Sequence, residues 1–277
     1  MTNMKKYLCA LSLGLVVLTA CGDDETPVAL ELNKLTSVAC QKEGEDVPLF
    51  SADINYTTEG KIASIRFAGG ENLLFIYSDS KLTVTGTEGE YTAEYTLAGD
   101  VITSKRISKE NPYISNEIYV SDEYNYVYSG SSLTQSAWTT RWPKPGEGGY
   151  ELRSYAPYEQ YRWEGGNVTL YAQAQDKREI RYEYSSVETP ANFPFRVIGS
   201  FDAVSFDAVS PLNLLYGDRN RSLPSRAYVY AVPDASQVEA EYTYSYTTVG
   251  DYITAMTVTD GSDTYTYTFA YNYAVNQ

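Results

Sequence analysis

Histidine is absent from all 277 residues. Its absence excludes Ser-His and Cys-His catalytic arrangements, histidine general bases and histidine-ligated zinc. A carboxylate- or lysine-based mechanism stays open in principle. Cysteine is scarce, with three residues at Cys9, Cys21 and Cys40. The chain has no Gly-x-Ser-x-Gly, no phosphate-binding glycine loop and no Cys-x-x-Cys pair, which removes the commonest local signatures of hydrolases, nucleotide enzymes and thiol oxidoreductases. No metal or cofactor is therefore expected. Basic residues are the minority, 21 Lys and Arg against 36 Asp and Glu. With no basic patch to offset that balance, nucleic acid is not a partner. The longest apolar run, Leu8–Leu18, is interrupted by Ser12 and Gly14 and is too short to cross a bilayer.

That short run has another meaning. Lys5 and Lys6 precede it, and the small residues Thr19 and Ala20 follow it, the layout of a secretory signal peptide. Leu18-Thr19-Ala20-Cys21 resembles the lipobox of bacterial lipoproteins. The resemblance implies cleavage before Cys21 and lipidation of its thiol, which makes Cys21 the membrane anchor. Residues 1–20 are thus expected to be removed, residues 21–33 to be a polar tether, and residues 34–277 to form one all-β domain. Cleavage removes two lysines and no acid, leaving 19 basic and 36 acidic residues in the remaining 257, a net charge of −17. With Cys9 removed and Cys21 acylated, Cys40 has no partner for an intrachain disulfide. Without histidine to activate it, Cys40 is expected to be a small buried hydrophobe rather than a nucleophile.

Beyond the tether almost every signal has a period of two. Tyr265, Tyr267, Phe269, Tyr271 and Tyr273 alternate with Thr264, Thr266, Thr268, Ala270 and Asn272, and Tyr242, Tyr244 and Tyr246 repeat the arrangement. Alternation of this kind places one aromatic face against packing and one polar face toward water. A Tyr is followed four residues later by Gly at Tyr56/Gly60, Tyr95/Gly99, Tyr126/Gly130, Tyr161/Gly165 and Tyr246/Gly250. Each Tyr closes a strand, and each Gly supplies the positive φ of a tight hairpin turn. The fold class is all-β: a large antiparallel meander of roughly 14–18 strands, forming a strongly curved sheet or a soluble barrel, closed or partly open. Two regions break the rhythm. Residues 138–150, with two prolines and three glycines, are expected to be a long loop. Residues 189–224, with four prolines, are expected to be an irregular crossover packed over one opening of the sheet.

The lipobox, the acids after Cys21, the Tyr-x-x-x-Gly hairpins and the segment Pro211-Leu-Asn-Leu-Leu-Tyr-Gly217 with Arg221-Ser-Leu-Pro-Ser-Arg226 resemble a Bacteroidetes lipoprotein family of unknown function with a porin-like fold. The resemblance implies a curved antiparallel sheet held to the envelope by a lipid, and it implies no activity. In those bacteria an acidic run after the lipidated cysteine directs lipoproteins to the outer face. Gly22-Asp23-Asp24-Glu25 is similar to that signal, so the expected location is the outer membrane, lipid-anchored and facing the exterior. A porin-like shape is not expected to make a pore here. A membrane barrel shows lipid an aliphatic face and confines aromatics to girdles, whereas tyrosine here runs the length of strands.

Candidate binding residues are aromatic. Trp138, Trp142 and Trp163 fall in one window with Tyr158, and Arg141 adjoins Trp142. Aromatic faces pack against sugar rings, so these residues suit a glycan or peptide platform. Trp138 and Trp163 also read as core residues of strands, leaving Trp142 as the expected exposed ring. Asp260-Gly261-Ser262-Asp263 could ligate calcium, but a hairpin turn uses the same residues. The reading is a non-catalytic envelope lipoprotein that binds glycan or peptide. The alternative is a structural or assembly lipoprotein that contacts other envelope proteins through a sheet edge or the crossover. A carboxylate hydrolase ranks last.

Overall fold

The computed structural model describes residues 34–70, 72–86, 91–114, 116–145, 149–175, 177–196, 205–232 and 236–272. The signal peptide, the tether, Cys21 and Tyr273 lie outside the described residues. Sixteen strands pair in sequence order, and the last pairs with the first. They are β1 (Leu35–Lys42), β2 (Phe50–Tyr56), β3 (Ile62–Phe67), β4 (Asn72–Ser78), β5 (Lys81–Gly86), β6 (Tyr91–Ala98), β7 (Val101–Glu110) and β8 (Ile118–Ser129). The second half comprises β9 (Ser132–Pro143), β10 (Tyr150–Glu164), β11 (Asn167–Gln173), β12 (Arg178–Glu188), β13 (Ser222–Ala231), β14 (Val238–Val249), β15 (Tyr252–Asp260) and β16 (Asp263–Tyr271). All neighbours are antiparallel, and closure runs through Val38 opposite Phe269 and Cys40 opposite Tyr267. The sheet is therefore a closed barrel, which settles whether the curved meander expected from the sequence closes on itself.

Alternation decides which face is the lumen. Tyr267, Phe269 and Tyr271 of β16 are buried, while Thr268 and Ala270 between them are exposed. Tyr242 of β14 is buried, whereas Glu241, Thr243, Ser245 and Thr247 are turned to the outside. Apolar and aromatic side chains thus fill the interior, and Thr, Ser, Glu and Arg dominate the outer wall. Sixteen-stranded porins enclose water behind a lipid-facing aliphatic belt; the polarity here is reversed.

The five repeat glycines all have φ between +58° and +78°, as the hairpin reading requires. Their tyrosines anchor one strand to another: Tyr56 OH donates to Leu35 O at 2.8 Å and Tyr246 OH to Pro224 O at 2.9 Å. Burial pushes the hydroxyls of Tyr126, Tyr161 and Tyr182 far up, so they stay protonated and neutral.

Two boundaries differ from the sequence expectation. Residues 138–150 are not a long loop: Trp138–Pro143 complete β9 and Tyr150 opens β10, with only 144–149 between them. The prolines sit where a strand can end without losing a ladder donor. The crossover ends at Arg221, because Pro224 lies within β13 at a register shift opposite Tyr184. The crossover leaves and re-enters at the end of the barrel that carries the tight hairpin turns. Within it, Asp207–Val209 and Pro211–Leu215 are short 3-10 helices. Phe193, Phe195 and Val209 are buried, with Phe193 edge-on to Phe269 at 5.2 Å. The crossover does not merely cover an opening; its aromatic residues are part of the lumen's core.

Candidate functional site: an aromatic row in the barrel mouth

The opposite end of the barrel is bordered by longer connections, apart from the two-residue β15–β16 turn, and the inner faces of β8, β9 and β10 meet there. Tyr124, Trp138 and Tyr155 occupy facing register positions on these three strands. Their rings are nearly parallel: Trp138 and Tyr155 are 5.4 Å apart at 13°, and Trp138 and Tyr124 are 6.1 Å apart at 14°. Tyr158 leans across the row, 4.8 Å from Trp138 at 48°. All four side chains are half-buried.

The bulge in β10 explains why two tyrosines reach one tryptophan. Trp138 faces Tyr155 and Ser136 faces Glu159, so four steps on β10 oppose two on β9. Pro157 lies inside this interval and cannot donate to the ladder, which forces the extra residues out of the pairing. Tyr155 and Tyr158 thereby reach the same side of the wall.

Polar groups border the row. Trp138 Nε1 donates to Asp122 Oδ1 at 3.0 Å, and Ser121 Oγ donates to Asp122 Oδ2 at 2.8 Å. Lys109 Nζ lies 3.8 Å from the same carboxylate. Lys105 Nζ sits 5.7 Å from the Tyr124 ring and 5.6 Å from the Tyr95 ring. Deeper in, Glu159 accepts from Ser136 Oγ at 2.7 Å and from Tyr171 OH at 3.0 Å. Lys105 and Lys109 also line an adjoining cavity of about 540 Å³, whose other walls include Phe67, Leu73, Tyr95 and Phe206. Among the described residues no cluster of three or more metal-ligating side chains occurs.

The sequence candidates are not one platform. Trp138 and Tyr158 belong to the row. Trp142 lies four residues further along β9 on the same side as Trp138, about 13 Å away by strand rise. It is 58% exposed and stands opposite Glu151. Arg141 has the opposite parity: on the outer wall its Nη2 donates to Glu123 Oε2 at 3.1 Å, and Arg106 Nε donates to Glu123 Oε1 at 3.0 Å. Trp163 lies near the other end, its Nε1 donating to Leu133 O at 2.7 Å. Asp260 and Asp263 face each other across the two-residue β15–β16 turn, and Lys42 of β1 pairs with Asp263 at 2.8 Å, so this segment serves the hairpin. The sequence reading did not find Asp122, Tyr124, Lys105 and Lys109. The signal available was the Tyr124-Tyr126-Tyr128 alternation on the strand before Trp138; the cations' proximity depends on register.

A family model described as a domain of unknown function (DUF5032) matches residues 22–276. No curated protein matches the chain. A porin-like protein from Bacteroides vulgatus is similar in fold, with a TM-score of 0.59 at 14% identity over 87% of this chain and 99% of its own. A porin-like protein from Bacteroides uniformis has a TM-score of 0.56 at 15% identity over 86% of this chain and 97% of its own.

Proposed function

The chain belongs to the DUF5032 family, and from that premise we propose that it is a non-catalytic envelope lipoprotein that binds carbohydrate in the barrel mouth. Cys21 is its lipid anchor, and the barrel stands on the exterior side of the outer membrane. The observation that carries the binding reading is the row Tyr124–Trp138–Tyr155 with Tyr158 across it, half-buried and flanked by Asp122, Lys105 and Lys109. Aromatic carbon beside fixed donors and acceptors matches a sugar, which offers C–H surface and hydroxyls together. Trp142, exposed on the same side, is an outer contact for a chain of more than one sugar. The polar outer wall supports a barrel carried by a lipid rather than one immersed in it.

The assembly alternative draws less support. Closure pairs every one of the sixteen described strands with two neighbours, which leaves as a free edge the stretch of β10 from Tyr150 to Tyr158 that extends beyond β11. Phe193, Phe195 and Val209 of the crossover are turned inward, and Leu214 is its one large apolar side chain exposed among the described residues.

The test is a tryptophan-fluorescence titration of the chain from Gly22 onward against host and dietary polysaccharides. Binding is expected to shift the emission saturably and to be lost in Trp138→Phe/Tyr158→Ala, with Trp142→Ala weakening polysaccharides more than disaccharides. A panel that gives no saturable shift overturns the carbohydrate reading. Palmitate labelling in cells, compared with Cys21→Ala, tests the anchor separately.

A further inference from the structure

The mouth at the tight-turn end is a second, different site. Between the β2–β3, β4–β5, β6–β7 and β14–β15 turns and the crossover lies a cavity of about 1070 Å³, at the upper end of the roughly 300–1,000 Å³ of small-molecule sites. It is distinct from the aromatic row and does not rest on the carbohydrate reading.

Its floor is apolar. Leu35, Ile62 and Ile253 are buried, and Leu97, Leu214 and Leu215 border the same space. Leu214 keeps 39% of its surface exposed there. Pro190, Pro194 and Pro211 of the crossover supply a wall without backbone donors.

The rim is acidic. Asp79, Asp100 and Asp251 sit in three of the hairpin turns and are exposed. None has an ion-pair partner among the described residues. The two lysines at the cavity are otherwise engaged. Lys34 Nζ donates to Gly60 O and lies 5.3 Å from the Tyr56 ring centroid. Lys61 Nζ pairs with Glu59 at 3.4 Å and lies 5.4 Å from the Tyr77 ring. Those ammonium groups show that the ring faces of this wall hold cations. Thr189 Oγ1, on the crossover side, is buried without a hydrogen-bond partner.

We propose that this mouth binds a cationic amphiphile: an apolar body on the leucine and isoleucine floor, and an ammonium or guanidinium head at the aspartate rim. An anionic head would meet three carboxylates and two committed lysines. A neutral apolar ligand would leave the aspartates without a role. A cation satisfies them, and the chain's formal net charge of −15 raises its local concentration.

The test is calorimetric titration of the chain from Gly22 onward with decyltrimethylammonium, decyl sulfate and decyl maltoside, each below its micelle concentration. Far-ultraviolet circular dichroism monitors folding throughout. The expected result is one decyltrimethylammonium per barrel, bound at least tenfold (~1.4 kcal/mol) tighter than decyl sulfate. Asp79→Asn/Asp100→Asn/Asp251→Asn, all at exposed turn positions, should weaken it about tenfold, as exposed ion pairs allow. Leu214→Arg should abolish it by placing a fixed cation on the floor. Equal affinity for the sulfate, an unchanged triple variant, or no saturable binding overturns the proposal.

Discussion

The guanidinium of Arg196 lies 4.1 Å from the ring centroid of Tyr216, both residues belonging to the crossover inside the barrel. The same guanidinium sits 5.5 Å from the Tyr161 ring, and its Nη2 donates to Tyr161 OH at 3.4 Å. Tyr216 in turn stands edge-on to Tyr126 at 5.2 Å. One cation thus ties the crossover to the inner faces of β8 and β10. Cation–π contacts shielded from water are worth about 2 kcal/mol, so Arg196→Ala should lower the unfolding free energy by about that amount. Arg196→Lys should lose less, because it keeps the charge but not the planar stacking. Urea unfolding of the three proteins checks this, and equal midpoints would show that the cation contributes nothing.

Gly217 gives the crossover a second attachment. Its φ is +79°, and a Cβ there would stand 2.2 Å from Ser131 O and 3.1 Å from the Tyr128 ring. Asp218 beside it accepts from Ser131 Oγ at 2.8 Å and from Ser132 Oγ at 2.7 Å. Gly250 also has positive φ, at +58°, but open space around it. Gly250→Ala should therefore cost only the left-handed backbone, ~1 kcal/mol. Gly217→Ala should cost about 3 kcal/mol or more, since the backbone carbonyl has to move. Thermal unfolding of both variants separates conformational strain from steric displacement.

The two attachments differ in how far the sequence revealed them. Tyr265–Tyr271 alternates so regularly that strand, inner face and partner type can all be read from it. The Tyr-x-x-x-Gly repeat likewise marked hairpin turns, because a positive φ is a local demand. Trp138 and Tyr158 were recognisable as recognition-type residues, but the bulge that joins them depends on Pro157, which breaks alternation without saying where the chain goes. Arg141 and Trp142 look equivalent in the sequence and lie on opposite sides of the wall by parity alone. The Arg196–Tyr216 contact joins residues of a segment with no period, so nothing local announces it. The prolines of 138–150 suggested a loop because a strand end and a loop demand the same missing donor.

Cys40 provides a chemical check on the closure of the barrel. It is fully buried on β1 beside Tyr267 of β16. Burial pushes its thiol up to about 11, with the Tyr267 hydroxyl offsetting only part of the effect. At pH 8 the folded chain should react with a thiol reagent at least a hundredfold more slowly than the urea-unfolded chain, through the lost thiolate and the lost access together. Comparable rates would mean that the β1–β16 seam opens readily.

Glu123 sets the sign of an acid response on the outer wall. Hydrogen bonds from Arg141 and then Arg106 hold its carboxyl below the ordinary value of 4.5, against a smaller opposing effect of burial. A carboxylate with a depressed folded pKa contributes stability that is fully present above its unfolded pKa. That contribution disappears as pH falls through the folded value. Glu123→Gln removes the charge at every pH, so the difference in unfolding free energy between parent and variant should be constant above pH ~5 and shrink below ~4.5. The side chain is 23% exposed and Arg106 is 56% exposed, so the plateau should be modest, about 1 kcal/mol. It should fall further in 1 M salt, where screening acts within about 3 Å. Urea unfolding between pH 3 and 7 measures this difference. Parallel curves for the two proteins across that range would show that the Arg106–Glu123–Arg141 network carries no net stability.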